Sequence, residues 1–183
     1  MLDICTTFNI NDQEYKELQH RFGKLAWHAS HELKKKNSCN NYTDDPEDIQ
    51  QELQMSMLRA GSYYKRQIYI ESCFVAVKKH SKDKFICRMI EELENLWRNR
   101  TRHGANKQKF GPFQEQLLSK LVRAIVPKDQ QPDKAASLKI DAKFSTYCKA
   151  IIWNGQKSMG KKITREKSIR SGQVSLSEYE HIC

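Results

Sequence analysis

The sequence lacks any apolar run that approaches the ~20 residues needed to span a membrane. Its N-terminus is interrupted by Asp3, Asn9 and Asp12, so the apolar core of a secretory signal is missing. None of the six cysteines has CxxC spacing, and no Cys/His cluster has the spacing of zinc ligands. We therefore expect a cytoplasmic protein with reduced thiols, no bound metal and no membrane segment.

Signs of enzymatic chemistry are also missing. There is no P-loop and no glycine-rich phosphate cradle, and the histidines are scattered apart from His28 and His31. A nuclease would need a carboxylate cluster that binds metal, and the one acidic run that offers it also suits the start of a helix. That run contains Asp44, Asp45, Glu47, Asp48 and Glu52. The sequence thus predicts neither a catalytic site nor a cofactor.

Positive charge is what the chain has in excess. With 32 Lys and Arg against 22 Asp and Glu, the formal net charge is +10. Such an excess favours a polyanionic partner, most often nucleic acid. Since 38% of the residues are hydrophobic and 30% are charged, the composition is that of a globular chain rather than a disordered one.

Apolar residues recur at helical spacing and strand signals are weak, so the predicted fold class is all-α. Helices are predicted over 12–37, 46–60, 68–79, 85–97, 113–126 and 140–159. Asp12 is expected to cap the first of them, and Ile49, Leu53, Met57 and Ala60 to form the buried face of the second. Gly61 is expected to end or bend that second helix. The Ser171-Gly172 pair is expected to break the chain.

Two stretches carry more specific information. The first, Asp48-Ile49-Gln50-Gln51-Glu52, opens the second helix with its acids and amides turned outward. Carboxylates and amides on one exposed helix face can pair with Arg and Lys of a partner helix. Such pairs provide orientation and association rate more than affinity.

The second stretch reads Lys143-Phe144-Ser145-Thr146-Tyr147 and opens a basic, aromatic segment. Between 143 and 170, Glu166 is the single acid among many Lys and Arg. Single-strand binding needs such a segment, because phosphates pair with the cations and an unstacked base regains about 1–3 kcal/mol on an aromatic face. We expect Ile151 and Ile152 inside, with Tyr147 and Lys149 near the nucleic acid.

In this order, the two stretches resemble region 2 of bacterial RNA polymerase sigma factors. The resemblance implies that the first stretch, similar to region 2.2, docks on the coiled coil of the polymerase β′ clamp. It implies that the second, similar to regions 2.3 and 2.4, holds bases flipped out of the non-template strand of the −10 promoter element. The matching docking positions are Asp48, Gln51, Glu52, Gln54 and Leu58. The matching DNA-binding positions are Lys143, Phe144, Ser145, Thr146, Tyr147, Lys149, Trp153, Asn154, Lys157, Lys161, Lys162 and Arg165.

Some positions depart from the family pattern. Leu53 replaces a small glycine of the docking helix. Ala150 and Ile151 stand where the family has tandem tryptophans, and Trp153 lies one turn further on. The two motifs also lie much farther apart than in ordinary sigma factors, so residues 65–138 are interpreted as an inserted helical segment. An alternative placement puts the second motif at Tyr69–Phe74.

The predicted organisation follows from these matches. Residues 12–64 are assigned to polymerase docking, 65–138 to the insertion, 139–170 to promoter DNA and 171–183 to a tail. No helix-turn-helix follows position 170, so a reader of the −35 element is missing, as in bacteriophage late-transcription sigma factors. The tail resembles the start of the sigma linker and, more weakly, a sliding-clamp peptide, and a disordered terminus is the third interpretation.

The sequence therefore predicts a phage-type sigma factor that acts in the cytoplasm of an infected bacterium. It would bind core RNA polymerase and direct recognition and melting of a −10-like element. A sliding clamp or a second phage transcription factor is a further expected partner. The alternative is a basic helical nucleic-acid-binding adaptor that does not bind polymerase.

Overall fold

The computed structural model describes residues 8–37, 46–99 and 110–180. These residues form five α-helices and a short 3-10 turn without any strand, which confirms the predicted all-α class. The helices are α1 (Asp12–Asn37), α2 (Pro46–His80), α3 (Lys84–Arg98), α4 (Pro112–Ile125) and α5 (Ala142–Glu180). None of the described helices combines the length and the hydropathy that crossing a membrane requires.

Helix α1 begins with a capping box at Asn11, and the predicted cap at Asp12 is wrong. The Asn11 side chain accepts a hydrogen bond from the Glu14 amide at 2.9 Å, and the Glu14 carboxylate accepts one from the Asn11 amide at 2.9 Å. The same carboxylate accepts a hydrogen bond from the Leu138 amide at 2.6 Å. These bonds satisfy a buried charged group and tie the start of α1 to the segment that leads into α5.

Helix α2 is continuous, so the predicted end or bend at Gly61 is wrong. A Cβ at Gly61 would lie 2.8 Å from Ile10 Cδ1 and 3.4 Å from Leu138 Cδ2. This glycine therefore permits close packing and does not supply a left-handed turn, in agreement with the absence of positive φ among the described glycines. Helix α5 also runs through Gly172 to Glu180, against the predicted break.

The described residues fall into two compact units. The central unit lies within residues 63–136 and includes Phe8, and the bundle unit lies within 9–62 and 137–183. The predicted inserted segment, 65–138, falls mostly in the central unit. Its interpretation as an insertion stays a prediction.

The core of the central unit is built by the second half of α2, α3 and α4. Asp83 starts α3 by accepting hydrogen bonds from the amides of Phe85 at 2.7 Å and Ile86 at 3.3 Å. Arg66 donates to the Glu115 carboxylate from Nε at 3.1 Å and lies over the buried Trp97 ring. The buried side chains of this core are Phe8, Tyr69, Ile70, Cys73, Phe74, Val77, Ile90, Leu93, Trp97, Phe110, Leu118, Val122 and Val126.

The bundle unit consists of α1, the first half of α2 and α5. Its buried apolar residues include Leu18, Phe22, Ala26, Ala29, Leu33, Ile49, Leu53, Met57, Ala60, Phe144, Cys148, Ile152 and Ile163. The predicted buried face of the second helix is thereby confirmed. Both predicted functional stretches, 48–52 and 143–147, lie in this unit.

Candidate nucleic-acid interface

Helix α5 carries the second predicted stretch, and its start is fixed by Asp141. The Asp141 carboxylate accepts a hydrogen bond from the Phe144 amide at 2.7 Å, which caps the first turn. From there the buried side chains recur every fourth residue, at Phe144, Cys148, Ile152 and Gln156. Ile163 is buried further along the helix, and other described positions, such as Lys143, Lys149 and Trp153, are exposed.

Phe144 belongs to the core and not to an exposed surface. It has no exposed area, and its ring lies edge-on to that of Phe22. A stacking base needs an open ring face and Phe144 presents none here, so its contact with a flipped base stays a prediction that the burial of the ring does not support. The same holds for the alternative placement at Tyr69–Phe74, since Tyr69 and Phe74 are both buried in the central unit.

The other four residues of the Lys143–Tyr147 motif differ in how exposed they are. Lys143 and Thr146 are exposed, whereas Ser145 and Tyr147 are half-buried. The Thr146 hydroxyl donates to the Ala142 carbonyl at 2.9 Å, so it offers an acceptor rather than a donor to the outside. Ile152 is buried as expected, Ile151 is half-buried, and Lys149 is exposed.

The exposed face of α5 is lined with positive charge. From Asn154 onward its members are spaced by three or four residues, and Lys143 lies eleven residues, about three turns, before Asn154, which places them all on one side of the helix. They are Lys143, Asn154, Lys157, Lys161 and Arg165, with Trp153, Lys149 and Lys162 beside them, and all are exposed. We call this set the α5 basic face. From Lys143 to Arg165 it extends over about 33 Å.

The end of the α5 basic face forms a shallow cavity of about 680 Å³. Lys157, Lys161 and Arg165 line it together with Leu33 from α1. Gly160 lets α1 approach here, because a Cβ at that position would lie 3.2 Å from Leu33 Cδ1. Three cations around an open concavity provide an electrostatic site for a phosphate chain.

The predicted docking positions on α2 are partly exposed. Asp48, Gln51 and Glu52 are exposed, and Gln54 and Leu58 are half-buried. Leu53 occupies the position of the small family residue and is fully buried. The small residue is instead Gly155 on α5, where a Cβ would lie 3.0 Å from Leu53 Cδ2. The absence of a side chain at Gly155 thus lets α2 and α5 approach closely at Leu53.

The structure brings the two predicted sites together around one cavity. Asp48 and Glu52 of α2 line a cavity of about 290 Å³ with Ser158, Met159 and Lys162 of α5. Lys162 also pairs with Glu166 at 4.0 Å. The resemblance to sigma region 2 assigned the acids to polymerase and the lysine to DNA. Their shared cavity makes them electrostatic neighbours.

Sequence reasoning missed Gln156, which holds α5 to α1. Its buried Nε2 donates a hydrogen bond to the Ala29 carbonyl at 2.9 Å and lies 3.5 Å from Glu32 Oε2. The available signal was a polar residue in phase with Phe144, Cys148 and Ile152. Burial raises the pKa of the Cys148 thiol to about 12, which disfavours the reactive thiolate.

Asp44 and Asp45 of the predicted acidic run lie outside the described residues. Within the described part of the chain, no group of three or more His, Cys, Asp or Glu side chains could hold a metal ion. The described backbone of the predicted tail is helical as far as Glu180.

In comparisons with known proteins, no family model, no curated protein and no solved structure matches the chain.

Proposed function

We propose that the chain is a phage-type sigma factor that binds core RNA polymerase through α2 and promoter DNA through α5. The observation that carries this proposal is the α5 basic face, which lies on the same unit as the exposed acids and amide of α2. Exposed cations along one helix face, densest at Lys157, Lys161 and Arg165, suit a phosphate backbone. The protein would act in the cytoplasm of an infected bacterium.

Promoter opening would use different aromatic residues from those the family motif suggests. Because Phe144 is buried, the candidates for base stacking are Trp153, which is 38% exposed, and the half-buried Tyr147. Trp153 lies between Lys149 and Lys157 along the helix, so a stacked base would have cations on both sides for its phosphates. Stacking supplies about 1–3 kcal/mol per base, which offsets part of the cost of unpairing.

Polymerase docking would use Asp48, Gln51 and Glu52. These side chains are exposed in the first two turns of α2, and the helix dipole favours the negative charge of Asp48 in the first turn. They can pair with Arg and Lys of a coiled coil and fix the orientation of the bound chain.

The test is co-purification with bacterial core polymerase, followed by run-off transcription. Gln51→Ala with Glu52→Ala should abolish core binding and leave oligonucleotide binding intact. The matched control is Glu91→Ala with Gln116→Ala, which removes one exposed acid and one exposed amide from the central unit. Retained core binding in the first double variant would overturn the docking assignment.

A second assay separates promoter opening from docking. Tyr147→Ala and Trp153→Ala should each spare core binding and lower the permanganate reactivity of promoter thymines. Normal reactivity in both would overturn the assignment of strand opening to α5.

The burial of Phe144 favours one alternative, a basic adaptor that binds nucleic acid without polymerase. Because Phe144 is buried, the first aromatic residue of the melting motif is not available for base stacking, whereas the cations of α5 are exposed. DNA binding without any co-purification of core polymerase is the result that this alternative predicts.

A further inference from the structure

Helix α1 carries a second row of basic and aromatic side chains on its outer side. Its members are spaced by three or four residues, so they lie on one face of the helix. They are Lys16, His20, Lys24, Trp27, His31 and Lys34, and all are exposed. We call them the α1 outer face. No acidic residue occupies any of these positions, and the row extends over about 27 Å.

The opposite side of α1 is already used for folding. Phe22 packs against Phe144, and Leu33 lies beside Gly160, so that side faces α5. The α1 outer face is therefore not needed for the core of the bundle unit. Its composition requires another explanation.

The lysines of the α1 outer face keep their charge available. Lys16, Lys24 and Lys34 form no ion pair with any residue in the described part of the chain. Glu17, which follows Lys16 in sequence, is held by Arg21 at 3.0 Å. Three uncompensated cations on one face attract a polyanion.

Trp27 gives this face a platform for stacking. Its ring is 45% exposed, and the His31 ring lies against it with centroids 4.0 Å apart and planes tilted by 32°. His31 Nδ1 is 3.0 Å from the Trp27 carbonyl, which can only accept, so Nδ1 carries the hydrogen. The imidazole is thereby held against the indole.

We propose that the α1 outer face binds single-stranded nucleic acid, with a base stacked on Trp27 and phosphates paired with Lys16, Lys24 and Lys34. Alternating cations and an exposed indole suit an unpaired strand, because a duplex does not present its base faces. An acidic protein surface would match the lysines but would leave the indole without a partner. This inference does not rest on polymerase binding or on the α5 basic face.

The experiment measures the affinity of the full chain for a labelled 20-nucleotide oligodeoxythymidylate and for a 20-base-pair duplex at several salt concentrations. One variant combines Lys16→Gln, Lys24→Gln and Lys34→Gln. Its matched control combines Lys79→Gln, Lys82→Gln and Lys128→Gln, which are exposed in the central unit. Thermal unfolding checks that both remain folded.

The α1 variant should make the slope of log K against log salt less negative by about 2 for the single strand, because each phosphate contact contributes roughly −0.7. The control should leave that slope unchanged. Trp27→Ala should weaken single-strand binding by about 5- to 150-fold and change duplex binding much less. In a Trp153→Phe background, the oligonucleotide should quench the fluorescence of Trp27, since Trp97 is buried.

Two results would overturn the inference. One is an α1 variant and a Trp27→Ala variant that both bind the oligonucleotide like the wild type. The other is an α1 variant that loses core polymerase but keeps the oligonucleotide, which would make this face a protein-docking surface. A variant with Lys157→Gln, Lys161→Gln and Arg165→Gln tests the α5 basic face separately, so the two proposals can fail independently.

Discussion

The ring of Phe144 meets the ring of Phe22 edge-on, with centroids 6.1 Å apart and planes at 75°. This pair joins the first turn of α5 to α1 in a fully buried site. Phe144→Ala should therefore lower the free energy of unfolding by about 3–5 kcal/mol, and Phe144→Leu by less than about 1.5 kcal/mol. Urea titration of the three proteins is the measurement. Unchanged stability with lost DNA affinity would show that this ring contacts DNA after all.

Two glycines of the bundle unit should respond oppositely to an added side chain. At Gly61 even a Cβ would lie 2.8 Å from Ile10, so Gly61→Leu should destabilise by about 1–3 kcal/mol or more through overpacking. At Gly23 a Cβ would meet only the end of the Gln19 side chain, at 3.1 Å. Gly23→Ala should thus stabilise α1, by up to about 1 kcal/mol. Thermal unfolding of both variants tests the contrast.

The hydrogen bond from Gln156 to the Ala29 carbonyl should stabilise the fold, and a negative charge at position 156 should cost more than the loss of that bond. Gln156→Leu should cost about 1–2 kcal/mol, because it removes one buried hydrogen bond at similar volume. Gln156→Glu should cost more at pH 7, since a carboxylate would face a carbonyl and Glu32. Its deficit relative to wild type should shrink near pH 4, where the introduced acid becomes neutral. A deficit independent of pH would contradict this account.

Cys148 should make the bundle unit sensitive to alkali. Burial raises the pKa of its thiol from 9.0 to about 12 in the folded protein. The unfolded chain therefore loses this proton first, and the stabilising difference, complete below pH 9, is lost as the pH rises towards 12. Cys148→Ala should thus lose less stability than wild type between pH 7 and pH 10.5, as measured by urea titration at both values. An equal loss would show that this thiol does not contribute.

The cavity shared by Glu52 and Lys162 should couple the two proposed surfaces. Because the carboxylate reduces the positive potential at the lysine, Glu52→Gln should raise affinity for a single-stranded oligonucleotide at low salt by about two- to fivefold. The effect should fade as salt increases. Glu91→Gln in the central unit is the control, and a gain of equal size there would reveal only a change in net charge.

Much of the fold could be predicted from periodicity, because apolar spacing alone identified the buried face of α2 and the all-helical class. The ends of α2 and α5 could not, since Gly61 and Gly172 are common at helix ends but are also tolerated within helices. Gly61 stays helical because Ile10 and Leu138 pack against it, and that is tertiary information.

The exposure of the basic residues of the candidate site could be predicted from the sequence, but the burial of Phe144 could not. Lys143, Lys157 and Arg165 are exposed because long charged side chains are rarely buried. Phe144 is the exception, since an aromatic residue at a helix start suits either a core or a stacking surface. The α1 outer face was missed because its residues are spread over 16–34 and form a row only when spaced along a helix.

The closeness of Gly61 and Leu138 has a consequence for how quickly the protein folds. The chain leaves the bundle unit after Gly61 and re-enters it beside the same residue, with 63–136 in between. Helix α1 packs mainly against α5 rather than against its neighbour in sequence, α2, so its main packing must wait for a long loop to close. The slow step for the bundle should therefore be the arrival of α5, and a chain with a shorter connection should fold faster with the same final contacts.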